Sequence, residues 1–169
     1  LSVEAASGSI GHAPVVAAVA GALAGAAGLD DRRTKECFIA GYLHDIGKRS
    51  LPDILLARED RAESLPPADQ EMLRSHVLAA ERVISEWGLP RSAESLEAIV
   101  QHHERLDGSG YPYHLKGAQI GAGGRILALA DSYAELTAWQ PHREPLTSRA
   151  ALAELRREAE AGRLDGPLV

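Results

Sequence analysis

Apolar residues recur at intervals of three and four along most of this chain, which is the spacing of an amphipathic α-helix. A first helix is predicted by five apolar residues at that spacing: Val15, Val16, Val19, Leu23 and Ala26. Pro14 suits the first turn of this helix, and Gly28 suits its end. A second helix is predicted from Asp31 to His44, with an apolar face made by Phe38, Ile39, Tyr42 and Leu43.

The rest of the chain continues the helical pattern, interrupted by proline and glycine. Residues 49–67 contain three prolines and mixed charges, which predicts a loop with a short helical turn. Ser92 is a predicted N-cap. Further helices are predicted over 68–87, from the Ser92 cap to the histidine pair at 102–103, over 124–136 and over 148–161. Five residues are predicted to face inward from the helix over 68–87: Met72, Val77, Val83, Ile84 and Trp87.

Composition favours helices over sheets. Alanine and leucine dominate, aromatic residues make up only 4%, and no alternation of period two is long enough for a sheet. The 45% apolar and 25% charged residues are typical of a globular protein, and 169 residues suffice for one domain with a core. The sequence therefore predicts an all-α bundle of about six or seven helices in a single domain, residues 1–169.

Charge and cysteine content narrow the functional classes. A net charge of −6 argues against direct nucleic-acid contact by this domain, although bound metal ions could still attract a phosphorylated small molecule. Cys37 is the only cysteine, which favours a reducing cytoplasm. The 17 residues from Ala13 to Leu29 carry no charge, but their Ala and Gly content favours a buried helix over a membrane span. The start at Leu1 indicates a domain from a longer multidomain protein.

Five of the seven histidines form one ordered series with two aspartates. The series is His12, His44, Asp45, His76, His102, His103 and Asp131. Imidazole and carboxylate donors together suit iron, manganese, zinc or nickel, whereas magnesium favours oxygen ligands. The series therefore indicates a site for two metal ions, with the carboxylate of Asp45 able to bridge them.

Each of these residues also has a simpler interpretation. The His44–Asp45 pair alone could be a surface pair, and neighbours such as His102 and His103 can reach one site only near a helix end. His76 could be a half-buried histidine, and His12 is the weakest candidate because Pro14 marks the helix start. Asp131 follows a strongly apolar run, where a carboxylate needs a partner.

Four motifs carry a resemblance to the HD-GYP domain, a branch of the HD phosphohydrolase superfamily. They are GYLHDIGK (41–48), LRSH (73–76), HHERLDGSGYP (102–112) and LALADSYAELT (127–137). The resemblance implies a helical HD fold and hydrolysis of cyclic di-GMP or a related phosphate ester by two divalent metal ions. Iron or manganese is the expected metal, with zinc or nickel as alternatives.

The resemblance also implies roles for single residues. The series of five histidines and two aspartates would be the metal ligands, with Asp45 bridging. Lys48 would steady the scissile phosphate, and Arg143 would contact a ligand phosphate. Gly110, Tyr111 and Pro112 would form a loop implicated in contacts with partner proteins, braced by Arg105 and Asp107.

Several positions depart from the HD-GYP pattern. Gly8 stands where some members carry a glutamate that binds a third metal, so two metals are expected. Five further residues differ in charge or aromatic character from those that the pattern leads us to expect: Val15, Ala134, Gln140, His142 and Glu144. The metal-ligand series is complete, but the stretch over 138–144 that would bind substrate phosphates is altered.

The sequence therefore predicts a two-metal phosphodiesterase for cyclic di-GMP and leaves two alternatives open. One is a phosphohydrolase of the same superfamily that acts on another nucleotide or phosphate ester. The other is a weakly catalytic sensing or interaction module, because the tail over 153–169 resembles a segment that leads into helix-turn-helix regulators.

Overall fold

The structure is a computed structural model that describes residues 11–139 and 143–169. Within these ranges it contains eight α-helices and no strand, so the predicted all-α fold is confirmed. The helices are α1 (His12–Ala26), α2 (Asp31–Leu43), α3 (Asp53–Leu56), α4 (Pro67–Arg74), α5 (His76–Glu86), α6 (Ala93–Gln101), α7 (Ala122–Thr137) and α8 (Ser148–Glu160). Gly8, Gln140 and His142, three of the positions that depart from the HD-GYP pattern, lie outside the described residues.

Side-chain caps fix the starts of three helices. Asp30 accepts a hydrogen bond from the amide of Arg33 at the start of α2. Ser92 accepts one from the amide of Ser95, which confirms the predicted N-cap of α6. Thr147 caps α8 in the same way. Each cap satisfies an amide that has no partner within its own helix.

The main core lies where α1, α2, α6 and α7 pack together, with α5 closing one side. Its buried residues are mostly small or aliphatic: Val16, Ala20, Ala24, Cys37, Ala40, Ala80, Ile84, Ala98, Ile99, Ile126, Leu127, Ala130 and Ala134. Small side chains let the helix axes approach closely, which brings the ends of these helices together on one side of the bundle. No helix among the described residues has the length and apolarity needed to cross a membrane.

The predicted inward faces of two helices are partly wrong. Phe38 and Tyr42 are 48% and 55% exposed, because α2 buries its small residues Cys37, Ala40 and Gly41 instead. Met72 and Trp87 are also exposed. Residue size was a poor guide here, since the closely packed helices leave no room for rings between them.

The helix predicted over 68–87 consists of two helices separated at Ser75. The Ser75 hydroxyl donates to the carbonyl of Met72 at 2.6 Å, and Nδ1 of His76 lies 2.7 Å from the carbonyl of Leu73. These side chains occupy carbonyls at the C-terminus of α4, which allows the chain to begin a new helix at His76. The break changes the direction in which His76 points.

The segment predicted as a loop over 49–67 contains the short helix α3 and a 3₁₀ segment, Glu59–Ser64. A small core of Leu55, Leu56, Leu65 and Leu73 holds this segment against α4. It positions Glu59 beside the end of a second 3₁₀ segment, Ile46–Ser50, that follows the His44–Asp45 pair.

Candidate metal centre

Three buried histidines share one local geometry. Nδ1 of His44 lies 2.8 Å from the carbonyl of Gly41, Nδ1 of His76 lies 2.7 Å from that of Leu73, and His102 repeats the pattern with Ile99 at 2.5 Å. A carbonyl oxygen only accepts hydrogen bonds, so Nδ1 must carry a proton in each ring. When such a ring is neutral, Nε2 therefore presents a lone pair.

The Nε2 atoms of His44, His76 and His102 are buried and make no hydrogen bond. Buried polar atoms without a partner are rare and costly in native proteins. A histidine that binds a metal through one ring nitrogen usually donates a hydrogen bond from the N–H of the other to a carbonyl or carboxylate. That arrangement is found here. The three rings therefore have the orientation that metal-binding histidines usually adopt.

The structure brings together all seven predicted ligands in two groups. Asp45, His76, His102 and His103 form one group, in which the potential ligand atoms all lie within 4.8 Å of one another. His12, His44 and Asp131 form the second group within the same limit. The ring centroids of His44 and His102, one from each group, are 5.1 Å apart, so the two groups adjoin.

Asp45 faces both groups. Its Oδ1 lies 3.3 Å from Nε2 of His76, and its Oδ2 lies 3.4 Å from Nε2 of His44. Asp131 Oδ1 lies 3.0 Å from Nε2 of His12 and 3.5 Å from Nε2 of His44. One carboxylate oxygen of Asp45 is thus available to each group.

These donor-to-donor distances fit binding of a metal ion. If each donor lies about 2.1 Å from an ion, neighbouring donors are about 3.0 Å apart in octahedral and about 3.4 Å apart in tetrahedral geometry. The observed distances of 3.0 to 3.5 Å lie close to these values. The two His/Asp clusters are consistent with a centre for two metal ions.

Burial and neighbouring carboxylates shift the pKa values of these histidines in opposite directions. Burial lowers the pKa of His76 to about 4 and that of His102 to about 3, and it also holds the pKa of His103 well below its usual value. These rings are neutral at physiological pH. Burial also lowers the pKa of His44, but the carboxylates of Asp45 and Asp131 outweigh burial and raise it to about 9. Without metal, His44 therefore carries the positive charge that offsets the aspartates.

Lys48 is buried next to the first group. Its Nζ lies 2.6 Å from Oδ2 of Asp45 and 2.5 Å from Oε1 of Glu59. Burial lowers the pKa of Lys48, but the two carboxylates outweigh this and raise it, so the ammonium stays charged. Glu59 was not predicted, because an acid in a charged loop gives no sequence signal that it faces the centre.

Gly47 allows the Asp45–Lys48 turn to reach His76. A Cβ at this position would lie 1.9 Å from the carbonyl oxygen of His76 and 2.9 Å from the amide nitrogen of Ala80. Only glycine therefore permits this close approach between the 3₁₀ segment Ile46–Ser50 and α5. The contact sets the distance between Asp45 and His76.

Gly110, Tyr111 and Pro112 form a loop, the GYP loop, and the backbone that follows it is held by a buried carboxylate. The buried carboxylate of Glu104 accepts hydrogen bonds from the amides of Tyr113 at 2.7 Å and Leu115 at 3.0 Å. Gly110 is required because a Cβ there would lie 2.4 Å from the carbonyl oxygen of His103. Glu104 was also missed by the sequence analysis.

Tyr111 packs inward from this loop. Its ring stacks on His103 with centroids 4.6 Å apart, and the guanidinium of Arg74 lies 5.5 Å over it. The predicted partner loop therefore contributes Tyr111 to the wall of the centre, whereas Tyr113 is 59% exposed. The proposed contact of this loop with a partner protein stays a prediction.

The predicted bracing and phosphate-binding residues all contact the backbone. Arg105 donates to the carbonyls of His102 and Glu104, and Asp107 accepts from the amide of Ser109 at 2.8 Å. Arg143 donates to the carbonyl of Glu135 at 2.6 Å and that of Leu136 at 3.4 Å, near the C-terminus of α7. These bonds direct its guanidinium toward a helix end.

Comparison with known proteins is consistent with this geometry. Residues 4–168 match the family described as HD domain. The chain is 33% identical over 158 residues to a cyclic di-GMP phosphodiesterase of Thermotoga maritima, covering 94% of this chain and 42% of that protein. It is 31% identical to 3'3'-cGAMP-specific phosphodiesterase 1 of Vibrio cholerae, covering 91% and 35%, respectively.

A third relative is the cyclic di-GMP phosphodiesterase response regulator RpfG of Xanthomonas campestris, 34% identical over 88% of this chain and 38% of that protein. The chain thus spans less than half the length of these curated relatives. The fold is similar to that of Bd1817, an HDG"Y"P protein from Bdellovibrio bacteriovorus, with a TM-score of 0.72 at 20% identity. That match covers 93% of this chain and 48% of the solved one.

Proposed function

This chain belongs to the HD-domain family, in its HD-GYP branch, and on that premise we propose that it is a metal-dependent phosphodiesterase that hydrolyses cyclic di-GMP. The observation that carries the proposal is the pair of His/Asp groups joined by Asp45, with three buried Nε2 atoms that lack a partner. The names of the relatives support the substrate class, since they include enzymes for cyclic di-GMP and for 3'3'-cGAMP.

We propose iron or manganese as the bound metal, with zinc or nickel as alternatives, because the donors are imidazole and carboxylate. When bound, two such ions would lower the pKa of water and stabilise charge on the phosphoryl oxygens. His12, His44 and Asp131 would hold one ion, and His76, His102 and His103 the other, with Asp45 shared between them. All seven side chains come from the converging helix ends and α7.

Lys48 has the position to act on the substrate phosphate. Its charged Nζ lies beside Asp45, where it can donate hydrogen bonds to a phosphoryl oxygen as negative charge grows there. Burial strengthens this interaction, since the local dielectric is lower than that of water. Glu59 competes for the same Nζ, so we expect substrate to draw Lys48 away from Glu59.

Two alternatives are supported by particular features. Arg143, the predicted phosphate contact, bonds to carbonyls near the end of α7, which favours a different nucleotide or phosphate ester. The altered stretch over 138–144 also suits a sensing module that binds ligand and turns it over slowly. The single thiol of Cys37 favours the reducing cytoplasm as the place of action.

The test is anaerobic reconstitution with ferrous iron or manganese, followed by chromatography of the products formed from cyclic di-GMP. We expect linear dinucleotide or monophosphate from the intact protein and none from Asp45→Ala. His114→Asn changes an exposed histidine to a residue that tolerates its positive φ of 55°, so it should keep full activity. Full metal content without product from cyclic di-GMP would reject this substrate and favour one of the two alternatives.

A further inference from the structure

A cavity of about 210 Å³ lies beside His76 on the side of the centre that faces the 3₁₀ segment Glu59–Ser64. Besides His76, six residues line it: Glu59, Ala62, Gln70, Leu73, Arg74 and Tyr111. Pockets for drug-sized ligands span roughly 300–1,000 Å³, so this cavity suits one part of a cyclic dinucleotide. Because it adjoins a metal-ligand histidine, a group bound here would be joined to a phosphate at the centre.

The lining suits an aromatic base better than a second phosphate. Leu73 and Ala62 give it an apolar wall, and the ring of Tyr111 is held in place by stacking on His103. The carboxylate of Glu59 would repel a phosphate, and Lys48 is already shared between Glu59 and Asp45. Heteroaromatic bases stack favourably on aromatic rings, and a base could replace the exposed guanidinium of Arg74 that lies over Tyr111.

The polar groups of the cavity match guanine rather than adenine. Guanine presents two N–H donors on its Watson–Crick edge and the acceptors O6 and N7 on its other edge. Glu59 can accept from these donors, since a carboxylate has about four acceptor sites and Lys48 contacts it at Oε1. Arg74 can donate to O6 and N7, because its exposed guanidinium has several N–H groups. Adenine has an acceptor at N1, which would face the carboxylate unfavourably.

We infer that this cavity is a guanine subsite, in which the base stacks on Tyr111 in place of Arg74, and Glu59 with the displaced guanidinium of Arg74 selects guanine over adenine. The inference rests on the proposed function for the phosphate at the metal centre. It explains how the chain could keep a preference for guanine nucleotides although its 138–144 stretch is altered. It also gives Glu59 and Arg74 a role in specificity that is separate from hydrolysis.

The test is calorimetric titration of the manganese-loaded protein with GMP and with AMP, which share a phosphate and differ in the base. We expect GMP to bind roughly tenfold more tightly than AMP, as one good bidentate base contact provides. Glu59→Gln and Arg74→Ala should each move the ratio of the two affinities toward one. Arg82→Ala is the matched control, since Arg82 is an exposed arginine that pairs with Glu86, and it should keep the ratio of the unaltered protein.

Equal binding of GMP and AMP by the unaltered protein would overturn the inference, as would an unchanged ratio in both variants. Arg74→Lys guards against a folding artefact because it keeps the charge of an exposed residue but loses the planar fork. The proposed function can be rejected independently of the guanine subsite. A GMP preference that depends on Glu59 and Arg74, without turnover of cyclic di-GMP, would support the subsite and reject cyclic di-GMP as the hydrolysed substrate.

Discussion

Asp45 is the side chain that lies between the two groups of candidate metal ligands. Its two carboxylate oxygens face different histidines, His76 on one side and His44 on the other, at 3.3 and 3.4 Å. Its pKa is held well below the usual value although burial raises it, because Lys48 and His44 outweigh burial. The side chain is therefore an anion with one oxygen available to each group of ligands.

Asp45→Asn should remove one bridging oxygen while keeping the shape of the side chain. We expect a lower metal content and a loss of turnover. Removing a residue that only hydrogen-bonds to a metal ligand typically lowers activity by roughly 10–100-fold, and the loss in Asp45→Asn should be greater than that. Elemental analysis and a rate assay on the same preparation would measure both. Wild-type turnover in this variant would show that Asp45 is not a ligand.

His44 links metal binding to pH. Its pKa of about 9 means that it is mostly protonated in the metal-free protein at pH 7.5, whereas a ligand nitrogen must be neutral. Binding should therefore release about one proton from this residue, and affinity should rise by about one log unit per pH unit until pH 9.

Calorimetry of manganese binding in HEPES and in Tris measures this release, because the two buffers differ in their heat of protonation. With about one proton released, the observed enthalpies at pH 7.5 should differ by about the difference between the protonation enthalpies of the two buffers. Identical enthalpies in the two buffers would contradict a protonated His44 in the metal-free protein.

At the scale of elements, the site depends on how closely the turn after His44 approaches α5. Gly47→Ala would put a Cβ 1.9 Å from the carbonyl oxygen of His76, and neither backbone segment can shift without moving Asp45 or His76. We expect destabilisation of about 1–3 kcal/mol in urea unfolding of the metal-free protein, together with weaker metal binding.

Gly25→Ala is the matched control for Gly47→Ala. Gly25 lies inside α1, and a Cβ there would meet no atom within 4 Å. Alanine is favoured over glycine in a helix by about 0.8–1.0 kcal/mol, so this variant should be slightly more stable than the unaltered protein. Equal stability of the two variants would argue against the tight contact at Gly47.

The GYP loop is a second element that a buried side chain, Glu104, holds in place. Glu104→Gln leaves one acceptor oxygen for the two amides of Tyr113 and Leu115 and buries an extra amide group. We expect a cost of about 1–3 kcal/mol and faster hydrogen exchange at these two amides. Glu160→Gln, an exposed change in α8, should alter neither quantity, and unchanged exchange in Glu104→Gln would contradict the anchoring role.

At the scale of the whole molecule, the sequence predicted the helical fold and the residues that converge. Histidines at the ends of apolar helical patterns point to one region, because helices that share a core also bring their ends together. His44 and His102 lie at such ends, and the glycines and prolines that follow them are visible in the sequence. The apolar run before Asp131 likewise predicted a buried carboxylate.

Other features depend on contacts that local patterns do not encode. The break at Ser75 lies inside an uninterrupted helical pattern, and side-chain bonds to Met72 and Leu73 decide it. Glu59 reaches Lys48 only because a small leucine core folds its segment back on α4. Glu104 looks like a surface acid until the loop closes over it.

We expect one chain to hold two metal ions on the adjoining groups of histidines and aspartates. Electron paramagnetic resonance of the manganese-loaded protein, with elemental analysis of the same sample, tests it most directly. Two ions per chain about 3.5–4 Å apart should give the spectrum of a coupled manganese pair. A spectrum of isolated manganese, with one ion or none per chain, would contradict the two-metal centre.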